Sequence, residues 1–473
     1  MFTDEALSSS PTPLSSLQHS PPGLSFSKQA LIDAASLASA TAQPREFDTP
    51  IYLLPTELVA GIFAICHETE EEDYRDSATR CSRVIISHVC SRWRAVILSM
   101  PSLWSTISVR GPRGSSHHRL EAHLERSAMF PLSLHFVSNL FTAEQSVGNI
   151  KDNMVLTIVH AQRWKSVQLH LTYEHARPIL DVLQSTSFPS LESLDLNIQD
   201  WPLETSNAIF EALSADSSSI RKLSWRGPGG MPPSPCWATL THLEVGNAFS
   251  LREIYTLLSR CRDVVELHIY SIRDSGEGPL HAGAVITLDK LEVLSVFTRE
   301  PLEDLFDRLC LPRLKQLELR YLGSIPAAGR PSRAIDTFLA RSKCSLEEFL
   351  LRDTCMPSEA LDQLLRMPNF DTVRDLSIQL PPLDDRVLAT LTRSVDGEGL
   401  LPQLQIFSFW RSHATNGTLG DMLTSRFQGS GQNLQCLRTA IRATAFCLRD
   451  RQTLNNLKAR GMDIVEYGGH VNS

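Results

Sequence analysis

A six-residue pattern recurs ten times between residues 164 and 409, and it restricts the possible folds more than any other feature. In each copy the first, fourth and sixth residues are apolar, as in "WKSVQL" and "LKQLEL". Such recurrence is typical of repeat proteins, in which each unit contributes a strand and a connecting segment. The copies begin 20 to 32 residues apart, at Trp164, Leu191, Ile220, Leu240, Val264, Leu291, Leu314, Leu346, Val373 and Leu404.

The period predicts the layout of these units. Each unit is too small to bury the apolar side of its own strand, so neighbouring units must stack side by side. Consecutive strands in such a stack form one parallel sheet, with helices or irregular segments between them. A weaker copy, "LQCL", begins at Leu434. We therefore predict an α/β fold with a parallel sheet in a repeat domain over residues 130–473.

Side chains between the apolar positions should point to the other face of this sheet, because successive residues of a strand alternate. Arg, Tyr and Trp are common at the energetic centres of interfaces. The last outward position of each strand, directly after the six-residue copy, therefore predicts a binding surface for a target, whose large members are Tyr270, Phe297, Arg320, Arg352 and Trp410. Two alternatives remain: the chain's own loops could cover this surface, and a register error of one residue would turn all five inward.

Composition excludes several classes of function. The formal net charge is −8 without a concentrated basic segment, which argues against nucleic acid as a partner. No apolar run is long enough to cross a bilayer, and the start "MFTDEALSSSPTPL" lacks the features of a signal peptide. Ten cysteines without a CxxC pair offer no zinc spacing and indicate reduced thiols. We expect a cytoplasmic or nuclear protein without membrane partner, metal or cofactor.

Catalytic motifs are also missing from the sequence. "GPGGMPP" (227–233) lacks the Lys-Ser/Thr of a phosphate-binding loop, and neither HExxH nor GxSxG occurs. His117 and His118 lie in "RGPRGSSHHR", which indicates a solvated loop rather than metal ligands. We therefore expect a protein that is not an enzyme and has no catalytic residue.

Residues 1–109 precede the ten copies and differ from the repeats in composition. Residues 1–48 begin with a Ser/Pro-rich stretch that cannot bury enough surface to order itself, and they have room for one short Ala-rich helix. Residues 49–109 are compact and apolar. "LLPTELVAGIF" (53–63) predicts a helix that starts after Pro55. "SRVIISHVCSRWRAVIL" (82–98) predicts an amphipathic helix with a break near Cys90.

Between these two segments, "HETEEEDYRDSATR" (67–80) carries six carboxylates and predicts an exposed loop. A unit as small as 49–109 has a poor core of its own, so part of its apolar surface would be stabilised by a partner. Burial against another chain contributes about 25 cal/mol for each Å² removed from water.

Both parts of the chain resemble known families. The repeats resemble leucine-rich repeats of irregular length, without the Asn or Cys that follows the third apolar position in that family. Residues 49–109 resemble an F-box, through Leu-Pro-x-Glu-Leu with Ile-Phe, Val-Cys-x-x-Trp-Arg and Pro-x-Leu-Trp. The acidic insert at 67–80 departs from the F-box pattern and is similar to the F-box-like proteins of fungi. The resemblance implies a small three-helix F-box followed by an irregular leucine-rich-repeat solenoid.

This resemblance also implies a function. An F-box binds a Skp-family adaptor and, through it, a cullin, while the repeats bind an unknown target protein. The chain would then be the substrate-recognition subunit of a cullin-type ubiquitin ligase; the alternative is a repeat scaffold that uses its F-box outside a cullin complex. The expected adaptor-binding residues are Leu54, Pro55, Leu58, Ile62, Phe63, Val89, Cys90, Trp93 and Trp104. Trp93 and Trp104 are expected mainly to hold the module's own helices together.

Overall fold

The computed structural model describes most of the chain from residue 50 onward. The predicted disordered tail, residues 1–48, lies outside the described residues. Two compact units are present, residues 1–63 and residues 64–473. The described ranges are 50–72, 82–110, 117–137, 147–185, 188–199, 201–215, 219–226, 238–246, 249–273, 284–299, 303–321, 331–353, 356–380, 383–394, 399–410, 412–415, 417–427, 434–439 and 446–466.

A 14-stranded sheet dominates the second unit. Its strands follow one another in chain order and every neighbouring pair is parallel, as the repeat pattern predicts. The strands are β1 Thr106–Arg110, β2 Leu132–Val137, β3 Trp164–Thr172, β4 Ser193–Gln199, β5 Lys222–Arg226, β6 His242–Val245, β7 Glu266–Tyr270, β8 Val293–Thr298, β9 Gln316–Tyr321, β10 Glu348–Asp353, β11 Asp375–Leu380, β12 Ile406–Phe409, β13 Cys436–Thr439 and β14 Asp463–Glu466. Two short parallel pairs lie outside this sheet, Phe249–Ser250 with Ile272–Arg273 and Ile286–Thr287 with Leu309–Cys310.

Each of the ten copies leads into one of these strands, and the weak copy at Leu434 leads into β13. Only the copy at Trp164 begins with its strand; the others begin two residues before theirs. Their backbones are joined at one equivalent place. The second residue of each copy donates its N–H to the carbonyl of the second residue in the copy before it, as in Lys315 to Glu292 at 2.9 Å and Glu347 to Lys315 at 2.7 Å. This bond recurs from Glu192 to Gln435 and sets the register in which these strands begin. The register shifts once among them, between Leu351 and Arg352, so that Arg352 pairs with Leu380.

Three strands, β1, β2 and β14, contain neither one of the ten copies nor the weak copy, and β1 is the most informative of them. It begins at Thr106, inside the range 49–109 that the sequence assigns to the F-box-like domain. Ile107 pairs with Leu134 of β2, which in turn pairs with Val167 of β3. "WSTISV" from Trp104 therefore occupies the place of a repeat, although the F-box pattern also includes Trp104. The sheet begins before residue 130.

Helices connect most strands and cover one face of the sheet. Helices and strands both contribute to the buried core, and neighbouring helices pack against each other. Among the described residues the helices of the second unit beyond β1 are His117–Arg126, Val147–Ile158, Tyr173–Ser185, Leu203–Ala215, Leu251–Leu258, Glu303–Asp307, Pro331–Ser342, Ser358–Leu365, Asp385–Leu391, Thr418–Phe427 and Leu448–Ala459. Short 3-10 turns lie at Ala161–Arg163 and Pro368–Phe370.

The core lies between the helices and the apolar face of the sheet. Along β9, for example, Leu317 and Leu319 are buried while Gln316, Glu318 and Arg320 are half-exposed. Several pairs of aromatic side chains contact each other in this core, such as Trp201 and Trp225 with ring centroids 4.4 Å apart. The opposite face carries the polar side chains, and we call it the open face.

Helical segments also form the region that resembles an F-box. They are Pro50–Leu53, Thr56–Glu72, Ser82–Ser87 and Ser91–Leu98, followed by a 3-10 turn at Pro101–Trp104. The backbone carbonyl of Pro55 accepts N–H bonds from Leu58 and Val59, so the helix starts after Pro55 as predicted. Cys90 separates two helices, which agrees with the predicted break. The helix that starts at Thr56 continues to Glu72, so the predicted acidic loop is helical in its first part.

Buried arginines join consecutive units from the helical side. Arg426 is 1% exposed, and its guanidinium donates to the carbonyls of Leu391, Leu400 at 2.7 Å and Leu401 at 3.1 Å. Leu391 ends the helix Asp385–Leu391, so the guanidinium caps the helix of the preceding unit. Burial and the nearby Arg393 lower the pKa of Arg426 to about 10, which leaves it charged at neutral pH. Arg341 makes the same kind of contact with the carbonyls of Phe306 and Leu309.

Replacing Arg426 with Leu should destabilise the second unit by about 3 kcal/mol, because three buried carbonyls would lose their donor. Denaturant unfolding followed by circular dichroism measures this loss. The control is Arg449→Leu, since Arg449 is exposed and pairs with Asp421 at 3.0 Å. A surface ion pair of this kind is worth less than about 1 kcal/mol. Equal losses in the two variants would contradict the capping role.

Candidate functional site

The five residues predicted to bind a target lie on the open face, four of them in consecutive units and the fifth two strands further on, beyond β11. Tyr270 pairs in register with Phe297, Phe297 with Arg320, and Arg320 with Arg352. Trp410 directly follows Phe409, the last residue of β12. All five side chains are partly exposed, which excludes the register error considered above. We call Tyr270, Phe297, Arg320, Arg352 and Trp410 the open-face column.

One end of the open-face column is aromatic. The rings of Tyr270 and Phe297 have centroids 6.1 Å apart and an interplanar angle of 39°. On the other side of Tyr270, the guanidinium carbon of Arg226 lies 4.6 Å from the ring centroid, while Arg226 also pairs with Glu244. Burial, followed by the nearby Glu244, raises the pKa of the Tyr270 hydroxyl. The phenol is therefore neutral and can donate a hydrogen bond at physiological pH.

The other end of the open-face column is cationic. The guanidinium carbon of Arg352 lies 4.9 Å from the centroid of the Trp410 ring, a cation–π contact. Arg320 instead forms an ion pair with Glu318 of its own strand. Partial burial and the neighbouring Arg320 lower the pKa of Arg352 from its usual value. Arg352 remains a cation, as arginines in proteins do, and packs on the face of the Trp410 ring.

Histidine–carboxylate pairs lie on the open face of β3, β4 and β7, and sequence reasoning missed them. His170 Nε2 lies 2.9 Å from Asp195 Oδ2, and His268 Nε2 lies 2.7 Å from Glu266 Oε1. Burial alone would raise the pKa of Asp195, but the hydrogen bond and charge of His170 bring it below its usual value. Alternation of residues along each strand could have identified these residues as outward, but not their pairing.

Residues expected to bind the adaptor differ in exposure. In the first unit, Leu58 is 56% exposed and Ile62 is 38% exposed, whereas Phe63 is buried. Pro55 is exposed and Leu54 is half-buried. Leu58 and Ile62 are four residues apart in one helix, so their side chains share a face. The first unit therefore presents a large apolar pair to its surroundings.

The expected adaptor residues of the second unit also differ from one another in exposure. Val89 is 52% exposed, while Cys90 and Trp93 are half-buried. The Cys90 thiol accepts a hydrogen bond from the backbone N–H of Trp93 at 3.5 Å and caps the helix Ser91–Leu98. Trp104 is 2% exposed, and its indole N–H donates to the carbonyl of Ile97 at 3.0 Å. Trp104 belongs to the core of this unit.

Exposed large apolar side chains are concentrated in one short stretch of sequence. Among the described residues, eight of fourteen such side chains fall between positions 53 and 98. This stretch is about a tenth of the chain, so the enrichment is large. The eight are Leu53, Leu58, Ile62, Ile65, Val84, Ile85, Val89 and Leu98.

Metal sites and membrane-spanning helices are both absent from the described residues. No group of three or more His, Cys, Asp or Glu side chains there could hold a metal ion. His117 and His118, which the sequence placed in a loop, begin the helix His117–Arg126, and His118 contacts Glu121 at 3.2 Å. In the part of the chain that is described, no helix combines the length and apolar character needed to cross a bilayer.

His123 packs edge-on against Trp104, with ring centroids 5.2 Å apart. Its burial makes the stability of the protein depend on pH. Burial and the nearby Arg83 lower the pKa of His123 from 6.5 to about 3. Between these values the unfolded chain binds a proton that the folded chain does not, so stability falls as the pH falls below 6.5. Between pH 7 and pH 5 the free energy of unfolding should therefore fall by about 2 kcal/mol more in the unchanged protein than in the His123→Phe variant.

Denaturant unfolding at both pH values measures this difference, and His118→Phe is the control because the His118 side chain is 93% exposed. An unchanged loss in the His123→Phe variant would show that His123 is protonated in the folded protein.

Comparison with known proteins adds no relative. No protein-family model matches the sequence, and no curated protein matches it.

Proposed function

We propose that this protein is the substrate-recognition subunit of a cullin-type ubiquitin ligase, built from an F-box and an irregular leucine-rich-repeat solenoid. The F-box binds a Skp-family adaptor, which links the chain to a cullin, and the open face of the repeats binds a target protein. Such a subunit performs no bond chemistry. It raises the effective concentration of the target near a ubiquitin-charged enzyme.

The exposed apolar side chains between positions 53 and 98 are the observation that carries this proposal. Three of them, Leu58, Ile62 and Val89, stand at positions of the F-box motif. Exposed apolar groups that are this frequent in the sequence favour coverage by another protein. Burying a Leu or Ile side chain at an interface contributes about 1.5–3 kcal/mol, so a few such residues support a stable complex.

The open-face column supports the second half of the proposal. A sheet face with a row of Tyr, Phe, Arg and Trp side chains has the composition of an interface centre. The row crosses consecutive parallel strands, so a target can contact several units at once. The two halves of the proposed function thus use different residues and can be tested separately.

Replacing Leu58 and Ile62 with Asp should abolish capture of the adaptor. Each change removes apolar burial and adds a carboxylate to the interface, so the affinity should fall by about 100-fold or more. The measurement is co-purification of tagged full-length chain with Skp-family adaptor and cullin from cells that express both. A repeat scaffold outside a ligase would retain adaptor without cullin.

A matched control separates loss of a docking residue from a general effect of charge. Val155 is 57% exposed in the helix Val147–Ile158 and lies outside the F-box motif. Val155→Asp should leave adaptor and cullin binding unchanged. If the Leu58→Asp, Ile62→Asp variant still retains adaptor and cullin at the level of the Val155→Asp variant, the F-box assignment is wrong.

A further inference from the structure

Arg352 is the one cation of the open-face column without an acidic partner among the described residues. Arg320 is paired with Glu318, whereas the Arg352 side chain contacts the Trp410 ring and makes no hydrogen bond or ion pair within the described part of the chain. Its Nε atom is buried, so the Nη groups are the part that a ligand can reach. A stacked arginine has less side-chain freedom to lose on binding, which favours recognition of an anion.

An aromatic surface lies at a defined distance from this cation. Phe297 is on β8 and Arg352 is on β10, with Arg320 of β9 in register between them. Neighbouring strands are about 4.8 Å apart, so the two side chains are separated by about 10 Å across the sheet. An extended peptide advances about 3.3 Å per residue, so about three residues span this distance.

We propose that the open-face column binds an extended segment of the target in which an apolar residue and an anionic residue are about three positions apart. The apolar side chain packs on Tyr270 and Phe297, and the anionic group accepts hydrogen bonds from Arg352. The anion is a carboxylate or a phosphate monoester, since both present oxygens to a guanidinium in the same way. This inference rests on the proposed function for its assumption that the open face binds a protein.

Charge on the open face favours an acidic peptide over single-stranded nucleic acid. Arg226 and Arg320 are already paired with Glu244 and Glu318, so their charges are neutralised. A continuous phosphate backbone needs several available cations, and the whole chain carries a formal charge of −8. A peptide with a single anionic group opposite Arg352 needs only one.

Selection from a random displayed 12-residue peptide library on the immobilised full-length chain tests the proposal. The selected peptides should share an apolar residue and an Asp or Glu about three positions apart. Selection on the Arg352→Gln variant should keep the apolar preference and lose the acidic one. Peptides without an acidic preference, an identical preference on both proteins, or no selected peptide at all would overturn the proposal.

A double-mutant cycle with one selected synthetic peptide then tests the contact itself. Replacing its acidic residue with Gln should weaken binding by about 10- to 100-fold, as expected for a hydrogen-bonded charge. Arg352→Gln should cause the same loss, and the two changes together should cost no more than either alone. Additive losses would mean that the acidic residue binds elsewhere. A phosphoserine version of the peptide distinguishes the two sources of anion by its affinity relative to the Glu version.

Arg438→Gln is the control, because Arg438 lies on the same face three strands from Arg352 and pairs with Asp375 at 3.5 Å. It should bind the selected peptide as the unchanged protein does. A 12-residue oligouridylate should fail to compete, and effective competition would favour nucleic acid as the occupant instead. Peptide binding without cullin association would refute the ligase and retain this surface, while cullin association without peptide selection would refute only this surface.

Discussion

The second unit depends on one constraint: the apolar face of each strand must be buried by the neighbouring units. No single repeat can shield its own apolar strand face, so each strand relies on the side chains of the next unit and on the helices behind it. The recurring backbone bond from one copy to the next starts the strands from β3 to β13 at the same height. Side chains at equivalent positions therefore line up across the sheet, which produces the core and most of the open-face column. After Leu351 the register shifts, and Arg352 pairs with Leu380.

On the helical side of the sheet, the guanidinium groups of Arg341 and Arg426 join each unit to the one before it. Each arginine leaves its own helix and reaches carbonyls of the unit before it. A helix end that is buried needs such donors, since its last carbonyls have no partner within the helix. Long side chains with several donors can meet this need where connections vary in length, so irregular spacing of the repeats does not prevent regular stacking.

The sequence was sufficient to predict the parallel sheet and the alignment of the open-face column, because both depend only on the period of the apolar residues. It was less informative where one residue serves two patterns. Trp104 matches the F-box motif and the first position of a repeat, and its burial and hydrogen bond to Ile97 resemble those of Trp164 with Thr157. Pro131 obscures the pattern of β2, and the short β14 has only part of it.

Side-chain pairing on the open face could not be read from the sequence at all. The alternation of a strand identifies which residues face outward, but it does not say that Arg320 turns to Glu318 while Arg352 turns to Trp410. Those choices depend on rotamers and on the neighbouring strands. The same is true of the exposed Ile62 and the buried Phe63, which adjoin in sequence and differ only by their position around one helix.

The constant height of the strands has a consequence for how such a chain can diversify. Loss of one whole repeat between Phe297 and Arg352 would bring these side chains one strand closer, a change of about 4.8 Å, while the remaining strands could pair as before. Gain of a repeat would separate them by the same step. Duplication and deletion of units would therefore alter ligand length in discrete increments, without any need to redesign the packing.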